Sequence, residues 1–177
     1  VILKSKKMIA ALAATDRDGD GVPELVFGGD GLTLLERKKD GSYYESPVNS
    51  ALQLPGSKGD VQHILSADVN GDGLLDLVAS KFTCDAKEQA LRVFINRGGV
   101  TYEEQSQQLG LDFKGSSWAA LATDYNHDGR LDLIVLTESC APDTGVALLL
   151  GQPDPQPGVS ATPRYQASQQ DGTFTVP

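Results

Sequence analysis

A short acidic pattern that recurs three times constrains this chain more than any other feature. It reads Ala13-Ala-Thr-Asp-Arg-Asp-Gly-Asp-Gly-Val-Pro-Glu-Leu-Val26, then Ser66-Ala-Asp-Val-Asn-Gly-Asp-Gly-Leu-Leu-Asp-Leu-Val78, then Ala122-Thr-Asp-Tyr-Asn-His-Asp-Gly-Arg-Leu-Asp-Leu-Ile134. The first acids, Asp16, Asp68 and Asp124, lie 52 and 56 residues apart. Within each unit an apolar run leads into the acidic loop. A second apolar run, a polar loop, a third apolar run, a glycine turn and an aromatic-bearing segment follow in the same order.

Four short strands per unit account for that order, and a period above fifty residues suits a four-stranded propeller blade better than a solenoid repeat. In the second unit the strands are expected at about 61–67, 76–81, 90–96 and 100–105, with Asn96-Arg-Gly-Gly99 turning the last hairpin. Lys38-Lys-Asp-Gly41 does the same in the first unit, and Asp171-Gly-Thr-Phe174 marks the last strand of the third. Nineteen glycines and nine prolines punctuate apolar runs of four to seven residues, leaving little room for long helices. The expected class is all-β: a β-propeller with blades at 1–58, 59–113 and 114–177. The third carries a proline-rich insertion at 152–163. Three blades make an open arc with uncovered end faces, so the remaining blades of a ring of about seven are expected from the parent chain or from other chains. Lys4, Lys6 and Lys7 before an apolar run imitate a signal peptide, but that run aligns with the strand that opens each repeat.

Counted from its first acid, each loop places oxygen side chains at positions one, three, five and nine and glycine at six. The first loop offers Asp16, Asp18, Asp20 and Glu24, the second Asp68, Asn70, Asp72 and Asp76, the third Asp124, Asn126, Asp128 and Asp132. Hard oxygen donors that alternate around one point suit calcium, and the backbone carbonyls at position seven (Val22, Leu74, Arg130) would complete each shell. Two carboxylates about 4 Å apart repel by about 4 kcal/mol at an effective dielectric near 20, so such a group calls for a cation. An EF-hand loop begins alike but needs a bidentate acid at position twelve and a following helix. Position twelve here is Phe27, Ala79 and Val135, all apolar and inside β-rich runs.

These loops, with the Phe27-Gly28 dipeptide, resemble the FG-GAP/VCBS repeats of integrin-α-type β-propellers. The Asn96-Arg-Gly-Gly-Val-Thr-Tyr102 and Gln107-Gln-Leu-Gly-Leu111 segments are similar to those of bacterial VCBS proteins. The resemblance implies three structural calcium ions, one per blade, each in the loop between a blade's first and second strands. It also implies a module that recognises a protein or a glycan.

The formal charge of −9 and the absence of a basic patch exclude a nucleic-acid partner, and no apolar run is long enough to span a membrane as a helix. No nucleophile elbow, phosphate loop or dinucleotide fingerprint is present. His63 is expected as a hydrogen-bonded sheet residue, and Trp118 as core rather than a sugar-stacking platform. Cys84 and Cys140 each fall eight residues after a ninth-position acid, so they form an inter-blade disulfide or stand as two free thiols. Calcium loops and a disulfide together favour an extracellular, cell-surface or periplasmic setting. A non-catalytic recognition module is the expected function, against the propeller part of a polysaccharide-acting enzyme or a structural spacer.

Overall fold

The computed structural model describes residues 9–54, 60–85, 87–111, 114–138, 144–153 and 165–167. Among these described residues twelve strands form three antiparallel sheets of four, with neighbours in each sheet following chain order, as propeller blades require. The first sheet holds β1 (Ala11–Thr15), β2 (Glu24–Gly28), β3 (Leu32–Arg37) and β4 (Tyr43–Glu45). The second holds β5 (Asp60–Ala67), β6 (Asp76–Phe82), β7 (Leu91–Arg97) and β8 (Thr101–Glu104), within two residues of the expected boundaries. The third holds β9 (Ser116–Thr123), β10 (Asp132–Glu138), β11 (Thr144–Gly151) and β12 (Tyr165–Ala167). A 3₁₀ helix at Pro47–Leu52 links the first sheet to the second, its N-terminus capped by the Ser46 hydroxyl.

Alternation of side chains along each strand creates two faces, and the sheets stack through them. Ala11, Val26, Leu32 and Leu34 of the first sheet pack on Val61, Ile64, Leu77, Ala79 and Phe94 of the second. The opposite face of the second sheet, with Val78, Leu91, Val93 and Ile95, packs on Ala120, Leu133, Val135 and Leu149 of the third. The middle sheet is therefore covered on both sides, which is why Asp76 through Lys81 are all buried. Each fully buried aliphatic side chain contributes about 1.5–3 kcal/mol, so these two seams hold the stack together.

The namesake glycine of the Phe-Gly dipeptide has a steric reason. A Cβ on Gly28 would lie 2.7 Å from Val61 Cγ1 and 3.0 Å from the Ala11 Cβ, in the seam between the first and second sheets. Val61 is fully buried and has nowhere to retreat. Gly28→Ala is therefore expected to lower unfolding stability by about 1–3 kcal/mol, as overpacked cores do. Urea titration with unchanged slope checks it.

Equivalent positions in the three sheets show what each seam covers. Leu12, Ile64 and Ala120 occupy one register position, opposite Phe27, Ala79 and Val135 respectively. Ile64 and Ala120 are each 5% exposed beneath a preceding sheet, whereas Leu12, which has none among the described residues, is 63% exposed. At the other end Leu136 and Val146 are exposed on the far face of the third sheet.

Two expectations are corrected. The fourth strand of the third sheet is Tyr165–Ala167, which pairs with Leu149–Gly151; the Asp171-Gly-Thr-Phe174 turn expected to mark it lies outside the described residues. Tyr165 sits opposite Gly151 as Tyr102 sits opposite Asn96 and Tyr43 opposite Arg37, so it is the aromatic of the third repeat. Trp118 is not enclosed: it is 39% exposed and stacks on Phe82. Of the expected insertion, Gln152 and Pro153 follow β11 and the remainder lies outside the described residues, as do Lys4, Lys6 and Lys7.

Candidate metal centres

Each acidic loop joins the first and second strands of its sheet, and the three are built by the same hydrogen bonds. The position-six N–H donates to the second carboxylate oxygen at position one in every copy. Gly21 reaches Asp16 at 3.1 Å, Gly73 reaches Asp68 at 2.8 Å and Gly129 reaches Asp124 at 2.9 Å. The position-seven N–H donates to position five: Val22 to Asp20 at 2.7 Å, Leu74 to Asp72 at 2.9 Å and Arg130 to Asp128 at 2.9 Å. Positions four and six take left-handed backbone in each loop. Gly19 and Gly21, Gly71 and Gly73 supply it in the first two, His127 and Gly129 in the third. Histidine at φ 60° is the costlier choice at that place.

The ninth-position acids do something that spacing did not announce. Glu24, Asp76 and Asp132 are buried, and each accepts the N–H of position two in its own loop: Arg17 at 2.8 Å, Val69 at 3.0 Å and Tyr125 at 2.9 Å. In the second and third sheets the other carboxylate oxygen accepts a second amide from the third strand, Asn96 at 2.8 Å and Gly151 at 2.7 Å. These acids clasp loop to sheet. Burial pushes the Asp76 carboxyl up to about 6 against the pull of its two amide donors, and the Asp72 and Asp68 charges push the same way. Burial also raises Glu24, with the Asp18 charge adding to it.

The carboxylates of Asp16, Asp18 and Asp20 offer oxygens that all lie within 4.8 Å of one another. The Oδ1 atom of Asp16 is buried and has no hydrogen-bond partner. An orphaned anionic oxygen beside two further carboxylates fits a hard divalent cation, which would satisfy it and remove the mutual repulsion. In the second and third loops asparagine replaces one acid, and Asn70 and Asn126 each donate to the neighbouring Asp72 and Asp128 at 2.8 Å. A cleft of about 320 Å³ separates these two loops, lined by Asp68, Val69, Asp124, Arg130 and Gln152. Position twelve falls on β2, β6 and β10, so no EF-hand helix follows any loop.

Residues 16–79 match the FG-GAP-like repeat family. This segment is similar to an FG-GAP-like repeat. It runs from the first acid of the first loop through the second loop to the end of its twelve positions, so it contains two of the three acidic loops. The third loop lies beyond the match and shares with the second the hydrogen bonds that positions one, five and nine accept from positions six, seven and two and from the third strand. No curated protein matches the chain.

Position two also reaches across the seam to the following sheet. The Asn96 side-chain amide donates to the Arg17 carbonyl at 2.8 Å, and the Arg17 guanidinium donates to the Gly99 carbonyl. A Cβ on Gly99 would come within 2.9 Å of the Asp18 Cα, so glycine is needed where the hairpin touches the first loop. In the next seam the Tyr165 hydroxyl donates to the Val69 carbonyl at 3.0 Å. Tyr125, the same position in the third loop, is exposed. His63 Nδ1 accepts the Ala120 N–H at 3.4 Å, which places it as the hydrogen-bonded sheet residue expected. Cys84, in the β6–β7 connection, is disulfide-bonded. The chain's other cysteine, Cys140, lies outside the described residues.

Proposed function

We propose that this chain is a calcium-stabilised arc of a β-propeller that displays its loops for protein or glycan recognition and catalyses no reaction. The observation that carries the reading is the threefold loop with its clustered carboxylates and its unpartnered Asp16 oxygen. Each of the three units, 1–58, 59–113 and 114–177, forms one blade and holds one calcium ion. Positions one, three, five and nine and the carbonyl at seven supply the ligands. The bridge at Cys84 and calcium-dependent loops suit an extracellular, cell-surface or periplasmic location. Among the described residues no helix is long and apolar enough to cross a membrane.

The uncovered ends support closure into a larger ring of about seven blades. Leu12 at one end and Leu136, Val146 and Tyr125 at the other occupy positions that neighbouring sheets cover within the stack. The isolated 177-residue chain is accordingly expected to associate, and size-exclusion chromatography with light scattering reads it directly. A stable, well-folded monomer of 18.8 kDa would refute the open arc. The non-catalytic reading predicts no product release from polysaccharides incubated with the calcium-loaded chain.

A further inference from the structure

The chain's sole tryptophan sits in an arrangement that neither the repeat nor the calcium loops require. The pairing of β9 with β10 shifts register between Leu136 and Thr137, and Trp118 is the extra residue, as Gln62 is at the equivalent bulge of β5. Bulges of this kind re-aim a side chain, and here the indole leans back across the seam onto Phe82 at the end of β6. Ring centroids are 4.7 Å apart at an interplanar angle of 27°. The indole nonetheless stays 39% exposed.

The pair is held rigidly. Thr83, next to Phe82, donates its N–H to the Ser116 hydroxyl at 2.9 Å, and that hydroxyl returns a bond to the Thr83 carbonyl. Ser117 donates to the Ala90 carbonyl at 3.2 Å, and Ala120 to His63 at 3.4 Å. Both strands that carry the aromatics are thus pinned to each other around the stack. Because Trp118 turns toward the second sheet, a further blade on the far face of the third would approach from the other side. Asp60, the cross-strand partner of Phe82, is partly exposed.

We propose that Trp118, backed by Phe82, is a stacking platform for a neutral saccharide, which gives the recognition reading its ligand class and rests on that reading. A pyranose offers a face of C–H groups that packs on an indole, while its hydroxyls seek a polar partner such as the Asp60 carboxylate, across the ladder from Phe82. Preorganisation reduces the ordering cost of binding. The net charge of −9 and the neighbouring Asp60 disfavour acidic sugars.

Trp118 reports on its own site, since its emission is the only tryptophan signal in the chain. Cellohexaose, mannohexaose and xylohexaose are titrated separately into calcium-loaded protein, with hexagalacturonate as the acidic comparison. At least one neutral probe is expected to give a saturable blue shift. By calorimetry Trp118→Ala should bind it at least about tenfold more weakly, with an unchanged melting temperature, and Trp118→Phe should bind with intermediate strength. The platform is overturned if no neutral probe moves the emission, an outcome that leaves protein recognition standing. It is equally overturned if Trp118→Ala binds as well as the parent, which leaves glycan recognition standing elsewhere on the chain. A response to hexagalacturonate alone overturns the neutral assignment.

Discussion

Asp76→Ala is expected to lower stability by about 2–6 kcal/mol, because it strands the Val69 and Asn96 N–H groups and a buried orphan donor costs about 1–3 kcal/mol. That is a large share of the 5–15 kcal/mol typical of a whole domain. Asp132→Ala should behave alike through Tyr125 and Gly151. Asp72→Ala is the informative contrast, since its carboxylate is exposed and bonds only within its own loop. Urea unfolding with and without a calcium chelator separates the two roles. The Asp76 penalty should persist in chelator because it comes from lost amide acceptors. The Asp72 penalty should largely disappear there because it comes from lost metal affinity. An Asp76 penalty that vanished with the metal would mean that the clasp contributes nothing by itself.

Removing calcium should have the larger total effect. A site occupied at about a hundred times its dissociation constant contributes about 2.7 kcal/mol by linkage, so three equal sites give about 8 kcal/mol. Thermal melts in millimolar calcium and in excess chelator should differ by many degrees, and identical melts would eliminate the metal from the stability of the fold. The first loop should hold its ion most tightly. It alone presents acids at all four side-chain positions, and its orphaned oxygen already waits for a positive partner.

Much of this architecture could be read from residues alone, because the repeat fixes several levels at once. Apolar alternation set the strands of the second unit to within two residues, and apolar residues at position twelve placed the loops between strands. The fourth strand of the third sheet escaped because a long insertion breaks the turn that announces it elsewhere. Tyr165 opposite Gly151 is recognisable only from register. Trp118 escaped for a related reason. Its bulge turns an inward position outward, and one extra residue leaves no trace in hydrophobic periodicity. The clasp made by Glu24, Asp76 and Asp132 was hidden by their fit to a metal-ligand pattern, since spacing identifies an oxygen donor without showing which protons already point at it.

The contacts made by position two have a polarity along the stack. Arg17 is engaged by the sheet that follows it, through Asn96 and Gly99, and Val69 by the next, through Tyr165. Each of the first two loops thus belongs mechanically to two neighbours at once, its own sheet through the buried acid and the following sheet through one carbonyl. Slackening a loop would loosen the joint ahead of it and spare the joint behind, so damage would travel toward the C-terminal blade, and the stiffness of the arc would be lost joint by joint in one direction.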